Sequence, residues 1–481
     1  MKKRVMMQAF EWYLPSNQQH YKRLQSKLDE LKSVGIVDLW IPPVFKGTSK
    51  HDGGYGIYDL YDLGEFDQKG SIATKYGTKQ ELIELIKSCH TRDMKVYADT
   101  VLNHKAAADY KETFEAILVD PMDREQTIGE PHDIQGWTGF NFKGRNNKYS
   151  KFKWNFNHFT GVDYDDITKE SGIYRILGDN KYWSESVSDE LGNYDYLMFA
   201  DVNLAHPEVK EDLFHWIEWF VNETKVDGLR FDALKHIDRE FMKEFIDHCL
   251  NLFGDSFYRV GEYWSGNEEA KLKYLDALDY NMDLFDVILH YNFYEASHQK
   301  ENYDLRTILD NTLVMNHPTL AVTFVDNHDS QRGQALESWV ESWFKPLAYT
   351  LILMREEGYP CVFWGDYYGI EGEFSYPAQK EWLDRMLKAR QKASYGDQDD
   401  YFDNPHCIGW VRHGNEKHLT KSASLINNYD DSQIIRMFIG TDFVGTIFKD
   451  ALEFSEGEVI IDEEGYGDFR VNAQSASIWL N

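Results

Sequence analysis

The 481-residue sequence is poor in cysteine, and its four cysteines lie far apart in the chain. They form no CxxC pair, so the sequence indicates neither a structural zinc site nor a disulfide framework. Each cysteine stands among apolar neighbours, as buried thiols do, and we expect all four inside the fold. They are Cys89, Cys249, Cys361 and Cys407.

Positive charge is also scarce, because 51 Lys and Arg stand against 81 Asp and Glu, a formal net charge of −30 at pH 7. Nucleic acids and anionic membranes are bound through clustered Lys and Arg, so this balance argues against both partners. A basic, aromatic stretch at residues 143–153 runs against the balance, and we interpret it as a solvated surface. The acidic excess favours a soluble monomer and permits cation binding.

The sequence lacks a hydrophobic run of the roughly 20 residues that a membrane helix needs. The apolar stretch near the N-terminus is interrupted by Gln8 and followed by Glu11. It is too short for the core of a secretory signal, and no small-residue cleavage site follows it. We therefore expect a cytoplasmic protein that does not associate with membranes.

Aromatic residues are abundant, at 15% of the chain. They are sufficient for a large core and also for flat platforms that pack on the apolar faces of sugar rings. The chain is longer than one hydrophobic core usually supports, so we expect two or three domains.

Apolar strands alternate with amphipathic helices along most of the chain, which predicts an α/β protein built on a (β/α)₈ TIM barrel. One predicted helix covers residues 20–34, and another opens at Thr78 with a capping box. The predicted strands are Val5–Phe10, Ile36–Ile41, Lys95–Leu102, Gly228–Asp232, Phe257–Gly261, Asp286–Leu289, Leu320–Val325 and Tyr359–Trp364.

The alternation stops twice. From residue 105 to about residue 207 no regular pattern is visible, and about 100 residues is too long for a structureless loop. We expect an inserted, irregular, β-rich domain after the third strand, and a C-terminal antiparallel β domain where short strands follow one another. The predicted division is therefore barrel at 1–104 and 208–394, inserted domain at 105–207 and C-terminal domain at 395–481.

Charged residues stand where predicted strands end, which is the functional edge of such a barrel. Arg230 and Asp232 are two residues apart and so point to one face of a strand. Alone they would be read as an ordinary ion pair at a strand end. Glu262 lies 30 residues further on, about one strand–helix–strand crossover, and also follows an apolar strand. Two carboxylates at the ends of adjacent parallel strands favour a shared pocket.

Other strands end in further polar residues, including Asp99, Asn103 and His104 after the third strand and His328 and Asp329 after the seventh. Carboxylates with histidines and an arginine, beside aromatic loops, suit the chemistry of a sugar acetal. One carboxylate attacks the anomeric carbon, and the other protonates the leaving oxygen and later activates water.

With these residues in place, the sequence resembles the α-amylases of glycoside hydrolase family 13, in the liquefying bacterial subgroup and closest to its intracellular members. The resemblance covers nearly the whole chain, including the insert and the tail. A single block is weak evidence, whereas all blocks in order on a barrel pattern are specific. The blocks are Asp99–His104, Tyr194–Asp201, Gly228–His236, Val260–Ser265 and Phe324–Asp329.

The resemblance implies that Asp232 is the nucleophile, that Glu262 is the general acid/base, and that Asp329 stabilises an oxocarbenium-like transition state. A histidine taken alone is equally often a satisfied core residue, and Tyr55 has packing in a Gly-rich loop as its alternative. The residues implied to contact substrate are Tyr55, His104, Arg230, Lys235, His236, His328 and, as a pocket wall, Trp264.

The resemblance also implies one calcium ion, held by Asn103, Asp195, Asp201 and the backbone carbonyl of His236. All four are oxygen donors, which calcium prefers; their alternative role is as loop caps and turn formers. Secreted relatives carry a second calcium and a sodium on extra aspartates, and a further calcium near the tail. We expect neither, because the corresponding positions here are Thr160, Ser184, Asn203, Ala205, Pro405 and His406.

The activity implied is endo-hydrolysis of α-1,4-glucosidic bonds, with retention of configuration, in maltodextrin, glycogen or starch-type glucans. One alternative is a transglycosylating or maltooligosaccharide-forming enzyme of the same family, since the blocks do not report the acceptor-side walls. Another is a non-catalytic glucan-binding protein, which the presence of all three carboxylates disfavours.

Overall fold

The computed structural model describes residues 4–481. Eight parallel strands close into a barrel. Each strand pairs with the strands before and after it in chain order, and the eighth pairs with the first. The predicted (β/α)₈ barrel is confirmed. Its strands, in order, are Val5–Gln8, Ile36–Ile41, Lys95–Thr100, Gly228–Phe231, Tyr258–Gly261, Asp283–Phe285, Ala321–Phe324 and Tyr359–Phe363.

Helices surround the barrel and turn their apolar sides toward it. The helix after the second strand begins at the predicted capping box, in which the Thr78 side chain accepts from the Glu81 backbone N–H and the Glu81 side chain accepts from Thr78. The α-helices are His20–Gln25, Leu28–Ser33, Lys79–His90, Pro207–Thr224, Arg239–Phe253, Glu268–Ala277, Val287–Gln299, Leu313–Asn316, Lys345–Met354, Trp364–Tyr368 and Lys380–Ala393. Short 3₁₀ turns cover Phe156–His158, Leu234–His236, Lys300–Asn302, Leu305–Thr307 and Thr441–Phe443.

Two predicted elements differ in the structure. The prediction of a strand at Asp286–Leu289 is wrong, because Asp286 caps a helix by accepting the Leu289 backbone N–H at 3.2 Å. The apolar run after Asp286 has no period that separates a buried strand from a buried helix. The single helix predicted over residues 20–34 is two helices, interrupted where the Ser26 hydroxyl donates to the Arg23 carbonyl at 2.7 Å.

The segment after the third barrel strand contains a six-stranded sheet, which confirms the β-rich character of the insert. It is more regular than predicted, since it includes a hairpin with strands of 11 and 17 residues. Residues 125–133 of this hairpin are exposed on both faces, so the sequence shows no alternation there. The strands are His104–Lys105, Tyr110–Asp120, Asp123–Gly139, Phe159–Asp165, Glu170–Ile176 and Ala200–Val202.

The C-terminal part forms a six-stranded and a two-stranded antiparallel sheet, and it packs on the helices Lys345–Met354 and Lys380–Ala393. The prediction of C-terminal antiparallel strands is confirmed, and all four cysteines are buried free thiols. The exact domain boundaries stay a prediction. The strands are Gln398–Tyr401, Cys407–Arg412, Ser422–Asn427, Gln433–Phe438, Ile447–Asp450, Glu458–Ile460, Tyr466–Val471 and Ser475–Leu480.

Within residues 4–481, no helix combines the length and the apolar character that crossing a bilayer would require.

Candidate active site

The register of the barrel strands brings the charged residues of the third, fourth and fifth strands side by side. Arg230 pairs with Asp99 on one side and with Val260 on the other. Gly261 lets the turn after the fourth strand lie close, since a Cβ at this position would be 2.0 Å from Leu234 Cδ1. Strand pairing alone therefore places Glu262, directly after Gly261, next to the Arg230 side chain.

The guanidinium of Arg230 binds three carboxylates. Its Nη1 atom is 2.8 Å from Asp99 Oδ1 and 2.5 Å from Asp232 Oδ1. Its Nη2 atom is 3.0 Å from Glu262 Oε2. Arg230 and Asp99 are fully buried, so these charge-assisted hydrogen bonds are shielded from water. One cation thus holds the two predicted catalytic carboxylates, Asp232 and Glu262, in a single cluster.

Two carboxyl groups of this cluster, those of Glu262 and Asp99, have raised pKa values. Burial raises the pKa of Glu262 to about 7; the cation Arg230 opposes the rise and the charge of Asp232 adds to it. Burial likewise raises the pKa of Asp99 to about 6, against the lowering effect of Arg230. A carboxyl group with a pKa near neutral suits an acid that must hold a proton and later return it.

The backbone that follows Asp232 is strained. Ala233 has a φ of 54°, in the left-handed region that non-glycine residues rarely adopt. This conformation points the Ala233 N–H at Glu262 Oε2, 3.1 Å away, while the Leu234 N–H donates to the Glu262 carbonyl at 2.9 Å. The strained turn therefore fixes the position of the Glu262 carboxyl relative to Asp232.

Asp329 and His328 follow the seventh strand. The side chain of Asn327 accepts the Asp329 backbone N–H at 2.9 Å, and His328 Nε2 lies 3.2 Å from Asp329 Oδ2. The His328 side chain is fully buried, whereas that of Asp329 is 25% exposed. Burial and then the charge of Glu262 raise the pKa of Asp329 above its usual range. The third predicted carboxylate thus joins the same electrostatic cluster.

Tyr55 and His104 lie beside this cluster. The Tyr55 hydroxyl donates to Asp99 Oδ2 at 2.8 Å, and its ring stacks on His328 with centroids 5.0 Å apart. His104 Nε2 donates to the Tyr55 carbonyl at 2.8 Å. The Nδ1 atom of His104 is buried and has no hydrogen-bond partner among residues 4–481.

Three further residues belong to the site: Gln8 on the first strand, Trp12 in the loop after it, and Trp40 on the second strand. They were not predicted from the sequence. Trp40 Nε1 donates to Asp99 Oδ2 at 3.0 Å, the Trp12 ring stacks on Tyr55 at 5.8 Å, and the Gln8 amide contacts His328. The available signal was Gln8 itself, a polar residue in an otherwise apolar strand.

The remaining predicted substrate residues lie at the edge of the cluster. Lys235 Nζ is 2.7 Å from Glu190 Oε2 in the inserted segment, and His236 Nδ1 donates to the Tyr194 carbonyl at 2.7 Å. Trp264 is buried and packs on His290, with ring centroids 5.7 Å apart. The substrate roles of these residues stay predictions.

Three of the predicted calcium ligands, Asn103, Asp195 and Asp201, are buried close to one another where the barrel meets the insert. Asn103 Nδ2 lies 3.4 Å from Asp201 Oδ1, and Asp195 and Asp201 are both buried. Neither aspartate has an ion-pair partner among residues 4–481. Burial raises the pKa of Asp195 to about 7, and burial together with the charge of Asp195 raises the pKa of Asp201 well above its usual range. Two buried carboxylates without a cation fit a site for a hard divalent metal.

The positions that differ from the secreted relatives carry neutral hydrogen-bonding groups. The Thr160 hydroxyl donates to Asp201. The Ser184 N–H donates to Asp195 at 2.9 Å, and the Asn203 amide donates to the Asn180 carbonyl at 3.1 Å. These groups occupy the surroundings of the aspartates without adding negative charge.

A second group of possible metal ligands, His158, His206 and Glu208, has ligand atoms within 4.8 Å of one another. His158 Nδ1 accepts the Asn155 backbone N–H at 3.0 Å, so the neutral ring carries its proton on Nε2, toward Glu208. A metal bound at Nε2 would need the opposite tautomer, because metal-bound histidine donates through its other nitrogen. We do not assign a metal to this group.

Comparison with known proteins identifies the family of the chain. The α-amylase catalytic domain pattern matches residues 15–412. The chain belongs to the α-amylase family. The resemblance inferred from the motif blocks is thereby confirmed.

Curated members of this family match along almost their full length. An "Alpha-amylase" of Geobacillus stearothermophilus is 47% identical over 99% of this chain and 86% of its own. A "Glucan 1,4-alpha-maltohexaosidase" of Bacillus sp. (strain 707) is 46% identical, with 99% and 92% covered. The "Cytoplasmic alpha-amylase" of Escherichia coli (strain K12) is 39% identical, with 100% and 99% covered.

Solved structures of α-amylases share the fold. The structure of the Geobacillus thermoleovorans α-amylase complexed with acarbose superposes with a TM-score of 0.66 at 19% identity, covering 99% of this chain and 97% of that one. An Anoxybacillus α-amylase gives a TM-score of 0.65 at 20% identity, with the same coverage. At these identities the likeness supports the architecture alone.

Proposed function

We propose that this protein is a retaining endo-acting α-amylase that hydrolyses α-1,4-glucosidic bonds in maltodextrin, glycogen or starch-type glucans. The observation that carries the proposal is the single guanidinium of Arg230, which binds Asp232 and Glu262 at the ends of neighbouring barrel strands. Family membership, with relatives named as α-amylases at 47% identity, supports the same activity.

In the first half of the reaction, Asp232 attacks the anomeric carbon and forms a glycosyl ester, while Glu262 gives its proton to the leaving oxygen. Arg230 donates a hydrogen bond to Asp232 and directs it, and burial keeps a proton on Glu262 near neutral pH. Asp329, partly exposed beside them, stabilises the positive charge that develops on the sugar ring.

In the second half, Glu262 takes a proton from water, which attacks the glycosyl ester and releases Asp232. Two displacements at one carbon return the original configuration. The hydrogen bond from the Ala233 N–H to Glu262 holds the carboxyl in one place for both halves. Tyr55, His104 and His328 surround the same position and would contact the sugar.

We infer one calcium ion, held by Asn103, Asp195, Asp201 and the backbone carbonyl of His236. Support comes from the two buried aspartates without a cationic partner and from the oxygen-only donor set. When bound, calcium would neutralise these carboxylates and join the insert to the barrel. We also propose that the protein is cytoplasmic, as the Escherichia coli relative is named, and that its net charge of −30 favours a monomer.

A test of the proposal is the substitution Glu262→Gln, with Glu269→Gln as a matched control on an exposed helix position. Hydrolysis of maltoheptaose should fall by at least about a thousandfold in Glu262→Gln, while binding measured by calorimetry persists. The control should keep wild-type turnover. Substantial turnover by Glu262→Gln would refute its assignment as the acid, and no turnover by the wild type would refute the enzyme assignment.

A second candidate is a maltooligosaccharide-forming activity, which the 46% identical maltohexaosidase favours. The two activities differ in product size, because an exo-acting enzyme releases one dominant oligosaccharide from glycogen. Product analysis from early time points distinguishes them. A broad distribution supports endo action, whereas a single early product supports the second candidate.

A further inference from the structure

Gln8 is a buried polar residue at the end of the first barrel strand. Its side chain is 1% exposed, and the residue pairs with Trp40 on one side and Phe363 on the other. The amide Nε2 lies 2.9 Å from His328 Nδ1. A buried amide at this position is costly unless it makes a specific hydrogen bond, and His328 is the partner that the barrel provides.

His328 stands between Gln8 and the third catalytic carboxylate. Its Nδ1 faces Gln8. Its Nε2 lies 3.2 Å from Asp329 Oδ2, but the contact lacks the angle of a hydrogen bond, so Nε2 is buried with no hydrogen-bond partner among residues 4–481. Burial and the nearby Arg230 cation lower the pKa of His328 well below its usual value, so the ring is neutral. A neutral imidazole has one N–H, and the hydrogen bond at one nitrogen decides which nitrogen carries it.

Aromatic neighbours oppose rotation of the ring about its Cβ–Cγ bond, which would exchange Nδ1 with Cδ2 and Nε2 with Cε1. Tyr55 stacks on it with centroids 5.0 Å apart, Trp12 at 6.1 Å and Phe10 at 5.0 Å. With the ring fixed, two properties are left to determine: which ring nitrogen carries the proton, and whether the Gln8 amide presents its N–H or its oxygen to Nδ1.

We propose that Gln8 is a positioning residue: its amide N–H donates to His328 Nδ1 and thereby places the histidine proton on Nε2, facing Asp329. The inference rests on the proposed role of Asp329 and extends it to a residue of the first strand. With the proton on Nε2, His328 favours the ionised form of Asp329, which a positively charged transition state requires. The opposite tautomer would direct a lone pair at that carboxylate.

The alternative arrangement is a reversed Gln8 amide that accepts from Nδ1–H, with a protonated Asp329 donating to Nε2. The Gln8 amide turns its Nε2 atom, and not its Oε1 atom, toward His328 Nδ1, which favours the first arrangement. Neutron diffraction from crystals of the perdeuterated wild-type protein at pH 7 separates the two. We expect a deuteron on His328 Nε2, none on Nδ1, and the Gln8 amide deuterons directed at Nδ1. A deuteron on Nδ1 would overturn the proposal, whatever the activity of the protein.

Substitutions add a functional readout. In Gln8→Glu the new carboxylate accepts from Nδ1–H and removes the proton from Nε2. At pH 7 we expect kcat to fall by about a hundredfold, with KM changed less than about threefold. The introduced carboxylate favours the protonated ring, so at about pH 5 a second proton restores Nε2–H and the loss should shrink to below about tenfold. A Gln8→Glu profile parallel to that of the wild type at every pH would overturn the proposal.

Gln8→Met is the matched control without charge. It keeps the length of the side chain but leaves the tautomer of His328 unspecified, so we expect an intermediate loss of kcat and no recovery at low pH. A merely structural role for Gln8 would instead lower the thermal midpoint of both variants and reduce activity equally at each pH. The neutron measurement on the wild type decides the matter even if a variant fails to fold.

Discussion

Arg230 allows the sharpest test of the active-site electrostatics, because its single charge acts on Glu262 across 3.0 Å. Replacing it by methionine removes that charge and keeps an apolar side chain of similar length. For two unit charges about 4 Å apart at an effective dielectric constant near 20, the interaction is about 4 kcal/mol. That energy corresponds to about three pKa units as an upper limit.

Loss of a neighbouring cation favours the protonated carboxyl, so the pKa of Glu262 should rise from its value of about 7. The alkaline limb of kcat/KM for a chromogenic maltooligosaccharide should therefore move to higher pH by at least about one unit. The maximal kcat/KM should fall by about a thousandfold, because the nucleophile Asp232 loses its partner as well.

Arg230→Lys is the control, since it preserves the charge but not the three-way hydrogen bonding. Its alkaline limb should stay near that of the wild type although its activity is reduced. If the limb of Arg230→Met does not move relative to that of Arg230→Lys, Glu262 is not the group that titrates, and the electrostatic reasoning fails.

Three further predictions concern neighbouring features. Chelation should lower the thermal midpoint more at pH 8 than at pH 5. The reason is the raised pKa of Asp195, about 7: without the metal, the buried carboxyl is tolerated when protonated and destabilises the fold when ionised. Metal analysis should find one calcium, and two tightly bound ions would contradict the assignment. Trp40→Phe keeps an aromatic ring but removes the 3.0 Å hydrogen bond to Asp99, so kcat/KM should fall about tenfold. The smaller ring also leaves a cavity that lowers the thermal midpoint, and unchanged kinetics would exclude the role. Lys345→Met leaves two buried aspartates without their cation, so the free energy of unfolding measured in urea should fall by about 3–5 kcal/mol. The control Lys273→Met, at an exposed position, should lower it by less than about 1 kcal/mol. Equal losses in the two variants would contradict the reasoning.

The sequence predicted the barrel because its elements carry strong local signals. Seven of the eight predicted strands coincide with barrel strands, and the capping box at Thr78 begins its helix as expected. The sixth strand was misplaced because Val287–Leu289 is an apolar run that could form a strand or a helix. The cap at Asp286 makes it the start of a helix. Local pattern does not distinguish these two states.

The charged part of the site was also accessible, because the ends of parallel strands meet at one edge of a barrel. Gln8, Trp12 and Trp40 were missed for a physical reason. They are neutral side chains. Gln8 and Trp12 contact His328 only once the first strand has closed against the eighth, and Trp40 reaches Asp99 across the second and third strands. The ion pair between Lys235 and Glu190 depends in the same way on how the insert lies over the barrel.

The central claim is that Asp232 becomes covalently attached to the sugar while Glu262 serves as acid and base. The most direct measurement is mass spectrometry of the protein after reaction with a slow fluorinated maltosyl fluoride that accumulates the glycosyl ester. The account predicts one added glycosyl group per chain, located after peptic digestion on the peptide at Asp232. A label on another carboxylate, or turnover with inverted product and no label, would contradict it.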